Sequence, residues 1–134
     1  MKDFQHKGEQ VMKIQESAEN YLETIYILRK KSGSVRSIDI VNHLGYSKPS
    51  VSNAMKQFRE NGYVTVDDGG FITLTDLGLE VAEKMYMRHE MLTKVLISLG
   101  VSEETAKEDA CKIEHYLSDE TFDAIVKHAE KYSN

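Results

Sequence analysis

The chain is short of cysteine, of proline and of long apolar runs, and two of these shortages exclude whole classes of protein. One cysteine in 134 residues leaves no internal disulfide framework. No apolar run approaches the roughly 20 residues that a membrane-spanning helix needs, so no membrane partner is expected. The opening residues, Met1-Lys2-Asp3-Phe4-Gln5-His6-Lys7, lack the apolar stretch of a signal peptide. Together these features predict a cytoplasmic protein. The usual hydrolase signatures are missing as well: there is no H-E-x-x-H helix, no nucleophile elbow and no phosphate-binding loop. The chain is therefore not read as an enzyme, and a small metal-dependent hydrolase stands only as an alternative.

What is present is ordinary in amount and uneven in distribution. A hydrophobic fraction of 40% with 29% charged residues suits one globular domain, or two small ones sharing a core. Residues 1–78 hold 10 basic and 10 acidic side chains, whereas residues 79–134 hold 7 and 12 and carry the whole net charge of -5. Within 29–59 stand seven basic residues (Arg29, Lys30, Lys31, Arg36, Lys48, Lys56, Arg59) against one acid, Asp39. Such a block suits a surface that faces phosphates, and the acidic half suits a cation. Both are also what plain solvated faces look like.

Periodicity and turn residues divide the chain into elements. Residues 1–15 have little pattern and either fray or extend the first helix. From Ser17, read as a cap, Tyr21, Ile25 and Leu28 recur at helical spacing. Lys31-Ser32-Gly33-Ser34 is a turn. Ser37 caps a short helix through Leu44, with Ile38, Val41 and Leu44 inward and Gly45 at its end. Ser47 caps the next, Pro49 (the only proline) lies in its first turn, Val51, Met55 and Phe58 form its apolar face, and Asn61-Gly62 stops it. Tyr63–Val66 and Phe71–Leu74 are strand-like runs around Asp67-Asp68-Gly69-Gly70, a hairpin. Thr75 caps a long helix over about 76–99, with Gly78 near its start and Gly100 at its end. Ser102 opens a helix through about Leu117, and Ser118 opens the last. The expected architecture is mainly α. A winged helix-turn-helix with a small β-hairpin wing spans 1–75, and a helical metal-binding and dimerisation domain spans 76–134.

In a winged helix-turn-helix the second helix enters the major groove with its N-terminal residues against base edges. Here Ser47, Lys48, Pro49, Ser50, Ser52 and Asn53 occupy that position, and Asn53 can bond base edges, adenine most readily. Arg36, Lys56 and Arg59 flank them as phosphate contacts. Asp67 and Asp68 repel phosphate, so little is expected of the wing. A winged helix serving only as a protein scaffold is the alternative. His43, His6 and His128 read as surface residues, and Met85, Met87 and Met91 as packing.

The chemistry concentrates in Cys111-Lys112-Ile113-Glu114-His115. On a helix, positions i, i+3 and i+4 share a face, so this spacing presents a thiol, a carboxylate and an imidazole together. These are transition-metal ligands. Taken singly, Cys111 reads as core and Glu114-His115 as a surface pair.

Four stretches together are more specific: Glu19-Asn20-Tyr21-Leu22-Glu23-Thr24-Ile25-Tyr26, Ser47-Lys48-Pro49-Ser50-Val51-Ser52, Arg88-His89-Glu90, and Cys111 through Asp119. In this order and spacing the chain resembles the diphtheria toxin repressor and manganese transport regulator family of metal-dependent repressors, over about Ser17 to Ile125. The resemblance implies a homodimeric, metal-activated repressor of metal-homeostasis genes on a palindromic DNA operator, in a short form without the SH3-like domain of longer members. It implies that Glu23, His89, Glu114 and His115 are ligands. Cys111 stands where the iron branch has its cysteine and the manganese branch a glutamate. Asn20 stands where the family places aspartate or methionine, and an amide oxygen is a weaker ligand. Lys107 and Thr93 replace two ligands of the iron branch's ancillary site, so the manganese-branch geometry is expected. One soft ligand among hard ones favours Fe(II), then Mn(II), with Zn, Co or Ni able to bind in vitro. A winged-helix regulator without metal control is the alternative function.

Overall fold

A computed structural model of the chain describes the backbone of residues 2–132 and the side chains of residues 16–132. Among these residues run α1 (Lys2–Ser32), α2 (Ser37–Leu44), α3 (Lys48–Glu60), β1 (Val64–Val66), β2 (Ile72–Leu74), α4 (Asp76–Ser98), α5 (Glu103–Ile113) and α6 (Asp119–Tyr132). They form two compact units, Met1–Glu83 and Lys84–Asn134, with the boundary inside α4. The side chain of His6 lies outside the described residues. No helix among the described residues is long and apolar enough to cross a membrane.

The first unit is a winged helix-turn-helix. Its core gathers Tyr21, Leu22 and Ile25 of α1, Val35, Ile40 of α2, Val51, Met55 and Phe58 of α3, Val64 and Ile72 of the hairpin, and Ala82. The i, i+4, i+7 spacing on α3 puts its three apolar residues on one buried face and leaves the polar ones outside. Tyr21 meets Phe58 edge-on at 5.7 Å, and Phe58 meets Tyr63 at 6.3 Å. At about 1.5–3 kcal/mol for each large buried apolar side chain, this cluster is the main favourable term in the unit. Gly45 turns the chain between α2 and α3 with φ of 74°, its N–H bonding the Val41 carbonyl at 2.9 Å. Ser47 caps α3 by accepting from the Ser50 N–H at 3.3 Å.

The wing is antiparallel, with Val64 opposite Leu74, Thr65 opposite Thr73 and Val66 opposite Ile72. Asp67 organises its tip: one carboxylate oxygen accepts from the N–H groups of Gly69 and Phe71, each at 2.9 Å. The Ile72 N–H reaches the Val35 carbonyl at 2.7 Å, which stitches the wing to the segment before α2.

Some local expectations are corrected. Ser17 is no cap, because α1 is already helical from Lys2. Ser37 is the first residue of α2, and the cap is Arg36, whose N–H donates to the Asp39 carboxylate at 2.8 Å. Ile38 is 45% exposed and Ile40 is fully buried. The series 40, 41, 44 follows one helix face, whereas 38, 41, 44 steps by three and drifts off it. Helix α5 ends at Ile113 rather than near Leu117. Met85 is buried as expected, but Met87 is 66% exposed, two positions round the helix from the buried stripe.

Gly78 has a packing reason. The first turn of α4 is pressed onto the end of the wing: the Thr75 N–H bonds the Tyr63 carbonyl at 3.0 Å, and the Thr75 hydroxyl donates to the Gly62 carbonyl at 2.6 Å. A Cβ at position 78 would stand 2.1 Å from the Tyr63 carbonyl oxygen. That atom is backbone and cannot move aside alone. Gly78→Ala is expected to destabilise the first unit by about 1–3 kcal/mol, the usual cost of overpacking, despite the better helix propensity of alanine. Urea unfolding of the two proteins checks this.

Candidate functional site

The second unit holds a line of four donors. Helix α4 supplies His89, α5 supplies Cys111, and the turn after α5 supplies Glu114 and His115. His89 Nδ1 lies 3.0 Å from Glu114 Oε2 and 3.6 Å from Cys111 Sγ. The other carboxylate oxygen, Glu114 Oε1, lies 3.5 Å from His115 Nε2. The helical spacing places Cys111 and Glu114 on one side, since the Glu114 N–H still bonds the Ala110 carbonyl at 3.0 Å. His115 reaches the group from the turn rather than from a helix.

Burial makes this cluster chemically demanding. The Glu114 side chain is 1% exposed and that of His115 is 4%, while Cys111 is exposed. A buried carboxylate must be paired or it costs several kcal/mol. Hydrogen bonding to Cys111 and then to Glu114, opposed by burial, pushes the His89 pKa from 6.5 up to about 10. The imidazolium so favoured supplies the missing positive charge. These contacts of 3.0 to 3.6 Å join the four side chains one to the next, rather than placing all four around a single point. A thiol, two imidazoles and a carboxylate are the donor types that divalent transition ions take.

The remaining candidates lie in the first unit. Glu23 is a buried carboxylate on α1. Asn20, three residues earlier, directs its amide N–H to the Tyr46 hydroxyl at 3.5 Å, and Tyr46 sits edge-on to Tyr21 at 5.6 Å. Tyr46 immediately precedes the cap of α3. Ser47, Lys48, Pro49, Ser50, Ser52, Asn53, Lys56 and Arg59 are all exposed, opposite the buried Val51, Met55 and Phe58. No acid stands in the first turn of α3, so the positive end of its dipole is unopposed there. Arg36 is exposed and lies over the Phe71 ring of the wing at 5.3 Å. Asp67, counted above as a repulsive charge, is engaged within the wing tip.

Two residues that sequence reasoning left without a role touch the cluster. The Arg88 side chain, 5% exposed, donates to the carbonyls of Glu114 at 3.0 Å and Leu117 at 2.7 Å, and to Asp119 at 2.6 Å. The Thr93 hydroxyl donates to the His89 carbonyl at 2.7 Å. A signal for Arg88 was available: it falls on the stripe Met85, Arg88, His89, Leu92, so a charged side chain shares the buried face of α4. Lys107, by contrast, makes a surface pair with Glu103 at 3.1 Å.

A winged helix followed by a helical unit with a transition-metal donor set defines a class, the DNA-binding regulators that respond to a metal. Comparison with known proteins narrows it. Residues 13–70 match the model of the iron dependent repressor N-terminal DNA binding domain, and residues 75–133 match that of the iron dependent repressor metal binding and dimerisation domain. The chain is 35% identical over 121 residues to an uncharacterized HTH-type transcriptional regulator of Methanocaldococcus jannaschii, covering 89% of this chain and 97% of that one. It is 32% identical over 117 residues to the transcriptional regulator MntR of Escherichia coli, covering 87% and 76%. A solved manganese-dependent transcriptional repressor in complex with manganese gives a TM-score of 0.76 at 28% identity over 84% of this chain. The chain spans about half the length of that structure. The chain belongs to the iron-dependent repressor family.

Asp119 offers a test of how the second unit is held. Hydrogen bonding and attraction to Lys84, then Arg88, hold its carboxyl below the usual 3.8. A lowered folded pKa means the tie is present above 3.8 and is lost as pH falls through the lower folded value. Asp119→Asn is expected to be less stable than wild type at neutral pH, and the two should converge at the acid limit. Urea midpoints across that range check it.

Proposed function

We propose that the protein is a metal-activated DNA-binding transcriptional repressor of metal-homeostasis genes, working in the cytoplasm as a homodimer on a palindromic operator. The observation that carries this reading is the His89, Cys111, Glu114, His115 line of donors in a chain whose first unit is a winged helix. Those four residues hold the ion, with Glu23 as the further ligand that the family resemblance implies. When bound, the divalent ion supplies the positive charge that the His89 proton otherwise supplies to Glu114, and it draws on donors from separate elements. Asn20 spends its amide N–H on Tyr46 and has only a neutral oxygen left to offer, which supports a peripheral part for it. Cys111, as the one soft donor, favours Fe(II), then Mn(II), and accepts Zn, Co or Ni in vitro. On DNA, Asn53 reads base edges while Lys48, Arg59, Lys56 and Arg36 meet phosphates, and Ser47 and Pro49 set the start of α3. Exposed Met87, Leu99 and Tyr116 in the second unit support dimerisation there, since its buried apolar core is small.

Metal uptake has to displace the His89 proton, which is held up to about pH 10. Affinity is therefore expected to rise with pH, about tenfold per unit for each proton displaced, below that value. Anaerobic metal titrations across pH, with proton release measured in parallel, check this. Glu114→Ala with His115→Ala is expected to abolish metal-stimulated operator binding in a protein that remains folded. DNA affinity measured across a metal series under anaerobic conditions is the deciding experiment. Equal affinity with and without metal in the wild type rejects the proposal and favours a regulator without metal control.

The DNA face separates by role. Asn53→Ala is expected to reduce discrimination between operator and random DNA. Lys48→Ala or Arg59→Ala is expected to weaken both alike and to reduce the salt dependence by about one unit of slope each. Binding isotherms on specific and non-specific duplexes over a salt series distinguish them.

A further inference from the structure

We propose that Arg88 is the positioning residue of the second-unit donor cluster, fixing the turn that carries Glu114 and His115 so that their side chains are preset for an ion. The inference rests on reading that cluster as a metal centre. Helix α5 stops at Ile113, so Glu114 and His115 stand beyond it on a turn closed by the Tyr116 N–H to Ile113 carbonyl bond at 3.0 Å. The last carbonyls of a helix have no partners within it, and such ends fray. A ligand pair placed there needs an external hold.

Arg88 provides it. One guanidinium nitrogen, Nη1, takes the carbonyls of both Glu114 and Leu117, at 3.0 and 2.7 Å. The other, Nη2, takes Asp119 Oδ1 at 2.6 Å, and the plane lies over the Phe122 ring at 5.2 Å. The turn is thereby tied to α4 and to the start of α6 at once. The next residue on α4, His89, meets the Glu114 carboxylate at 3.0 Å. Adjacent residues of one helix thus hold the two ends of Glu114, Arg88 its backbone and His89 its side chain. Only a planar fork serves three acceptors spread in this way; a lysine ammonium is a single point with a different reach.

The test is anaerobic Co(II) titration of the full chain, read by the thiolate-to-metal band from Cys111 and the ligand-field bands. Circular dichroism and urea unfolding run alongside. Arg88→Lys, keeping the charge, is expected to fold and to bind Co(II) about 10–100-fold more weakly, with altered ligand-field bands. Asp119→Ala removes one arm of the fork at an exposed position and is expected to show a smaller loss in the same direction. Lys84→Met removes the other partner of Asp119, at 2.9 Å, and leaves every Arg88 bond in place, so Co(II) binding is expected to match wild type. A folded Arg88→Lys protein with wild-type affinity and spectrum overturns the proposal. Should Arg88→Lys not fold, wild-type binding by Asp119→Ala overturns it instead. Wild-type protein that takes up no Co(II) refutes the metal reading itself, a different result from an unchanged Arg88 variant.

Discussion

A carboxylate withdrawn from water is the constraint around which the second unit is arranged. Glu114 is almost wholly buried, and its two oxygens face His89 and His115. The charge can persist there only beside a compensating positive charge. Hydrogen bonding to Cys111 and then to Glu114 raises the His89 pKa to about 10, which favours an imidazolium beside that carboxylate. A divalent ion would meet the same requirement with a stronger charge.

Around this group the backbone is held from outside the helix that carries it. Cys111 sits within α5, but the Glu114-His115 pair lies past its end, where a helix has unsatisfied carbonyls. Arg88 takes two of the carbonyls in this segment, and Asp119 with Phe122 fixes Arg88 in turn. One buried arginine thus stands behind the backbone that carries Glu114.

The first unit solves a different problem, presenting a polar helix face from a firmly packed base. Val51, Met55 and Phe58 anchor α3 in the core, and the wing is stitched to the Val35 carbonyl and pinned by the first turn of α4. The side chains of Tyr46, Tyr21 and Asn20 place α1, which carries Glu23, in direct contact with the residue that precedes the cap of α3. These contacts join α1 to the segment that leads into α3.

Most of the element order is legible in the sequence, because the signals are local. Ser47, Ser102 and Ser118 cap helices with their own side chains, Gly45 and Gly100 take the left-handed backbone at helix ends, and the hairpin follows from Asp67-Asp68-Gly69-Gly70. The placing of Cys111 and Glu114 on one side is equally local, a matter of a three-residue spacing at the end of α5. What the sequence leaves open depends on neighbours distant in the chain. The burial of Ile40 rather than Ile38 is decided by which side of α2 faces α1. The Glu114 carbonyl, just past the end of α5, is taken by an arginine 26 residues away. The need for glycine at position 78 comes from the Tyr63 carbonyl pressed against it. Spacing and residue type determined which donors this protein owns and that its first half is built to meet DNA. Only the tertiary structure decided that Glu114 is buried between two imidazoles and that Arg88 holds it there. Burial and long-range hydrogen bonds are properties of the packed chain, and no local window of sequence contains them.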